Sequence, residues 1–190
     1  STFRFEAAGS DSAVFARLQR NERNAYGRDK DEMLASFGQI LVELGNHVPA
    51  DIELLFHFCY GDSNHRHVVE PTDMGDMVAV ANHLGREINR PIQLIHMPVP
   101  RDRSDDAYFG PLRRLRLEPG TQLALGLVHY TDGIAGARRR LATAEKYVKN
   151  FSIATECGFG RRPRNSISEL LAIHAAAADT GRCDRRPQLA

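Results

Sequence analysis

At 190 residues, with 42% hydrophobic and 26% charged residues, the chain has the composition and length of one sizeable globular domain, which excludes disordered, fibrous and collagen-like classes. The 25 Lys and Arg residues against 24 Asp and Glu leave a formal charge of +1, which gives no global field to hold nucleic acid or an anionic membrane. No apolar stretch approaches the ~18 residues of a membrane span, the N-terminus lacks a secretory layout, and Cys59, Cys157 and Cys183 make a poor disulfide framework, so the expectation is a cytoplasmic protein with reduced thiols.

After an irregular start, apolar residues from Ser12 to about Gly45 recur at helical spacing, with Met33, Leu34, Phe37, Ile40, Leu41 and Leu44 in one stripe, read as two helices broken near Gly27. A strand follows over residues 52–60, ended by Gly61 and Asp62. The polar loop from Ser63 to His67 leads to a helix between Pro71 and Arg90, and a second strand covers residues 92–97. Residues 98–104 read as a loop because of Pro98 and Pro100, and a helix runs from Asp105 to Leu115. A third strand over 122–129, a helix over 135–149, a fourth strand over 151–156 and a helix over 166–178, with Ser166 and Glu169 at capping-box spacing, complete a domain spanning 1–180 with a tail from 181 to 190. Four strand and helix pairs in alternation predict a parallel sheet, since parallel strands need a crossover and that crossover is usually a helix.

The polar residues that carry chemistry fall at or near the C-terminal ends of those strands: His57, Cys59, His96, His129, Glu156 and Cys157. That edge is where open α/β sheets and (β/α)8 barrels place their active sites. Side chains two apart on a strand share a face, so His57 and Cys59 project together as a bidentate grip. A thiolate from Cys157 on the same sheet would complete a His/Cys/Cys set of the kind zinc uses when it keeps a position open for substrate. The competing reading is a pair of buried structural cysteines, because free Cys is among the most buried residue types.

His129 and Asp132, at the end of the third strand, are candidates for an acid/base pair. Asp62 and Asn64 in the first rim loop, and Arg161 with Arg162 after the last strand, are candidates to bind the substrate, the arginines through an anionic group; solvated polar loops are the competing reading. Glu156 precedes Cys157 and is expected on the opposite face. Arg138, Arg139 and Arg140 read as the solvated face of a helix, and Gly158 to Gly160 is too short to indicate a nucleotide cofactor.

The strand ending His57, Phe58, Cys59, Tyr60 and the later Glu156, Cys157, Gly158 resemble the C-terminal part of the cobalamin-independent methionine synthase family, in the superfamily that includes uroporphyrinogen decarboxylase. The resemblance covers about residues 35–178. It implies a (β/α)8 TIM barrel of which this chain supplies about four C-terminal units. It also implies a zinc ion held by the HxC pair, by a residue on the next strand and by the final Cys, and methyl or alkyl transfer to a thiol substrate. Where the family has Glu on the intervening strand this chain has His96, so the implied ligand set is His57, Cys59, His96 and Cys157.

A complete barrel takes ~250 residues, so the chain is expected to be part of a longer polypeptide or to be completed by a missing half-barrel or a second copy of itself. The expected partner is a small-molecule thiol, with no nucleic acid and no membrane. The alternatives are a metal-free decarboxylase-like enzyme on the same barrel, with His57, His96 and His129 moving protons, and a non-catalytic binding subunit.

Overall fold

The computed structural model describes residues 4–7, 23, 27–60, 70–160 and 162–183. Asp62, Asn64 and Arg161, and the helix expected before Gly27, lie outside these residues. The first element among the described residues is a short strand absent from the sequence-based expectation, β1 (Arg4–Ala7). There follow α1 (Lys30–His47), β2 (Glu53–His57), α2 (Gly75–Glu87), β3 (Leu94–Pro98) and α3 (Asp106–Phe109), the last continuing into a 3-10 turn, Gly110–Arg114. Then come β4 (Gln122–Val128), α4 (Gly133–Ala144), β5 (Phe151–Thr155) and, after a 3-10 turn at Arg164–Ser166, α5 (Ile167–Cys183). Among the described residues no helix is long and apolar enough to cross a membrane.

Two of the helices start at side-chain caps. Asp29 accepts from the Glu32 backbone N–H at 3.0 Å, and Asp31 and Glu32 lie in the first turn of α1, where the helix dipole favours negative charge. Asp105 caps α3 in the same way through Tyr108 N–H at 2.9 Å. The capping box expected at Ser166 and Glu169 does not set the start of α5: the Ser166 hydroxyl donates to Pro163 O at 2.7 Å, and Glu169 accepts from the Tyr130 hydroxyl at 3.0 Å. On α1 the buried set is Met33, Phe37, Gly38, Leu41, Val42 and Gly45. Ile40 and Leu44, assigned to the same stripe from sequence, are 46% and 47% exposed.

The five strands are all parallel and stand in the order β1-β2-β3-β4-β5. Each strand is the neighbour of the next in sequence, so the sheet is wound in one direction without the reversal of a doubly wound fold. Burial shows where the helices lie. Leu54 and Phe56 on β2, Ile95 and Met97 on β3, and Leu123, Leu125 and Leu127 on β4 are all 4% exposed or less and form the core beneath the helices. The alternate residues face away from them: Leu55 and Leu94 are half-buried, and Gln122 and Ser152 are exposed. This second face carries a continuous row, in register, of His57, His96, Ala124 and Ser152. In a closed barrel it would be the interior, filled by layers of side chains from alternate strands.

Pro98 was read as a loop residue and is the last residue of β3, paired with Gly126. The carbonyl of His96 accepts from Phe58 N–H at 2.9 Å, so Pro98, two residues on, also turns its backbone towards β2. Since β2 has ended at His57, the missing proline N–H costs no rung of the ladder.

Arg140 corrects another expectation. It is 1% exposed, with Nε donating to Leu127 O at 2.8 Å, one terminal nitrogen to Arg101 O at 2.6 Å, and both terminal nitrogens to the two oxygens of Asp132 at 2.8 Å. A buried guanidinium is tolerated when its donors are satisfied and a carboxylate balances its charge. Arg140 thereby ties α4 to β4 and to the loop after β3.

Candidate metal centre and adjoining cavity

Three of the four residues expected as ligands converge. The ligand atoms of His57, Cys59 and Cys157 all lie within 4.8 Å of one another, with Cys157 Sγ 3.9 Å from His57 Nε2. Both cysteines are half-buried and outside any disulfide. β2 ends at His57, and the chain continues extended enough that Cys59 stays on the side of His57. Cys157 arrives from the far side of the sheet because a register shift between β4 and β5, at Leu125 to Val128, lets the chain after Thr155 bend back over the strand ends. The Thr155 hydroxyl holds that bend by donating to Cys157 O at 2.8 Å. Hydrogen bonding with Cys59 holds the Cys157 thiol well below the ordinary cysteine range despite partial burial.

His96 does not belong to this set. Its ring neighbours that of His57 at 2.8 Å between the two Nδ1 atoms, and its Nε2 lies 3.0 Å from Thr155 O. Both nitrogens are committed to hydrogen bonds. The expected fourth ligand is therefore a neighbour of a ligand. Burial first, and then the adjacent His57, push its pKa down to about 4.

A cavity of about 380 Å³ opens beside the two cysteines. Its walls include Cys59, Cys157, His129, Glu156, Arg101 and Arg162. Glu156, expected on the face opposite Cys157, also lines this cavity, and Cys157 in addition lines the space on the inner face of the sheet with His57 and His96. The acid/base pairing expected between His129 and Asp132 is replaced by another. Asp132 is engaged by Arg140; burial pushes its carboxyl up, and the hydrogen bonds and charge of Arg140 outweigh this, so its pKa is lowered. His129, 4% exposed, has Nε2 at 2.8 Å from Val99 O and Nδ1 at 3.5 Å from the Glu156 carboxylate. A carbonyl only accepts, so Nε2 carries a proton, and Nδ1 and the carboxylate are placed to hold one further proton between them. Burial lowers the His129 pKa, and the charge of Glu156 opposes that shift.

The chain resembles a solved crystal structure of a candidate vitamin-B12 independent methionine synthase from Listeria monocytogenes, with a TM-score of 0.52 and 18% sequence identity. The match covers 87% of this chain and 46% of that one, so the chain spans about half the length of the structure it resembles. No protein-family model and no curated protein matches the sequence. At this identity the likeness bears on the fold: the alternating helices and parallel strands are about four β/α units of a TIM-barrel-like architecture.

Proposed function

We propose that His57, Cys59 and Cys157 hold a zinc ion, and that the protein transfers a methyl or other alkyl group to a small-molecule thiol. The observation that carries this reading is the convergence of one imidazole and two cysteine thiols outside any disulfide at the C-terminal strand ends, beside a cavity. The donor set fits zinc: soft thiolates with an imidazole, three in number, leave a fourth tetrahedral position for substrate. The separation of 3.9 Å between Cys157 Sγ and His57 Nε2 is close to the ~3.6 Å that a shared tetrahedral ion would impose, given usual bond lengths. The methionine synthase-like neighbour supports the same class of reaction.

A zinc ion bound there would act as a Lewis acid that lowers the pKa of the acceptor thiol, so that a thiolate is available near neutral pH. His129 and Glu156 line the same cavity and take the thiol proton on Nδ1 or the carboxylate. The thiolate sulfur then forms a bond to the alkyl carbon, while the bond from that carbon to its donor breaks and its electron pair leaves with the donor. Arg101 and Arg162 on the cavity wall meet an anionic group of the substrate, and Arg162 Nε is buried with no hydrogen-bond partner among the described residues. Asp62, Asn64 and Arg161, which lie outside the described residues, are assigned a share in this substrate binding. The open inner face of the sheet is completed by the rest of a barrel or by a second copy of the chain.

Cobalt substitution tests the chemistry. Protein loaded with Co2+ is expected to show thiolate-to-cobalt absorption that intensifies when 2-mercaptoethanol is added, as a further sulfur enters the open position. Cobalt binding without any response to the thiol would contradict an acceptor-thiol site.

A further inference from the structure

We infer that His96 is a positioning residue that fixes the tautomer of His57, turning the lone pair of His57 Nε2 towards Cys59 and Cys157. Thr155 O can only accept, so the Nε2 of His96, 3.0 Å away, carries a proton. A neutral imidazole has one N–H, so His96 Nδ1 is an acceptor. His57 Nδ1 lies 2.8 Å from it and must donate. A neutral His57 that donates from Nδ1 has its lone pair on Nε2, the nitrogen 3.9 Å from Cys157 Sγ. The ring planes of His57 and His96 are near-parallel, at 13° with centroids 4.7 Å apart, so the two rings also lie against each other.

The relay also spans the sheet. His96 stands on β3 and reaches Thr155 on β5 across β4, whose residue in the same row is Ala124. A single methyl at that position leaves room for the imidazole to cross. One side chain thus links the strand that carries His57 to the strand that leads into Cys157, and sets both the ring orientation and the donor atom of the ligand. Groups that hold the second nitrogen of a ligating histidine usually do so as acceptors, a carboxylate or a carbonyl. Here a second histidine serves, and its own protonation pattern is dictated one step further out by Thr155 O. The inference deepens the zinc reading, since that ion is what the directed lone pair would meet, but the relay itself exists without metal.

The test reads the tautomers directly in the metal-free chain, by long-range 15N–1H correlation at neutral pH with His57→Gln and His96→Asn to assign the rings. The expected pattern is a proton on Nδ1 of His57 and on Nε2 of His96; a proton on His57 Nε2 overturns the inference. Affinity for Co2+ gives a second readout. His96→Leu removes the acceptor and is expected to weaken binding about 10–100-fold. His96→Asn offers an amide oxygen close to the place of Nδ1 and is expected to retain affinity within a few-fold. Equal loss in both variants would mean a merely structural role and would contradict positioning. If the parent chain binds no cobalt, the metal reading fails while the tautomer pattern still decides this inference.

Discussion

At the scale of single residues, the region around the cluster depends on two histidines kept neutral by burial. His96 is pushed down to about 4 from an ordinary 6.5, and His129 is also lowered. Because the folded pKa lies below the unfolded one, the unfolded chain binds more protons in the interval between them. Stability is therefore intact above about 6.5 and declines as pH falls towards about 4, where the His96 contribution, about 3 kcal/mol, is fully lost. Chemical denaturation midpoints measured from pH 7 to pH 4 should fall through this window, and the fall should be smaller in His96→Asn. A flat profile would show that these imidazoles are not held neutral.

Arg140 supplies the second prediction at this scale. Replacing it by Met keeps much of its volume but leaves Asp132 without its main partner and the Leu127 and Arg101 carbonyls without donors. The cost should be about 3 kcal/mol, at the lower end for a broken buried pair because the Asp132 side chain keeps 21% exposure. Adding Asp132→Asn should recover part of that loss, as a double-mutant cycle in denaturant would measure. The sequence hid this role because three consecutive arginines read as a solvated face. The available signal was position: Arg140 lies three residues after Ala137 and four before Ala144, both fully buried.

Among the elements, the junction of β3, β4 and β5 decides where the cluster forms. A Cβ on Gly126 would lie 2.8 Å from Glu156 Cα, 3.0 Å from Thr155 O and 3.1 Å from Pro98 Cα, all backbone atoms or atoms bonded to it. None of these can rotate away. Gly126→Ala should cost about 1–3 kcal/mol by overpacking and should also displace the bend that delivers Cys157, so cobalt affinity falls together with stability. Parental cobalt affinity in a folded Gly126→Ala protein would show that the bend does not set the site.

This junction also marks how far the sequence could be read. His57 and Cys59 were legible because a two-residue period and a strand end place them together whatever the rest of the fold does. The arrival of Cys157 followed from the parallel alternation of strands and helices. Pro98 was misread because its tolerance depends on β2 stopping at His57, a fact of register. The pairing of Glu156 with His129 was not legible, because it joins the end of β5 to the end of β4 and no local pattern announces it. His96 was identified as important, but its detachment from the ligand set depends on a carbonyl on β5, 59 residues away.

For the whole molecule, the helix-covered face of the sheet is closed and the opposite face is not. β1 and β5 are the outer strands among the described residues, and the row from His57 to Ser152 faces away from the helices. Barrels remove exposed edges by closing on themselves. The 190-residue chain on its own is therefore expected to self-associate, with sedimentation velocity showing a concentration-dependent dimer or larger species. A monomer throughout the micromolar range would mean that the chain covers this face itself. The fold class was readable because alternation and strand-end chemistry are global patterns. The four-residue β1 was missed because so short a segment carries no periodicity.

The central claim is that His57, Cys59 and Cys157 form one metal-holding unit, and the most direct test is elemental analysis of protein purified without added metal, compared with Cys157→Ser. The account predicts close to one zinc per parent chain and loss of most of it in the variant, with the fold retained by circular dichroism. No zinc in the parent chain, even after incubation with equimolar zinc, would contradict it.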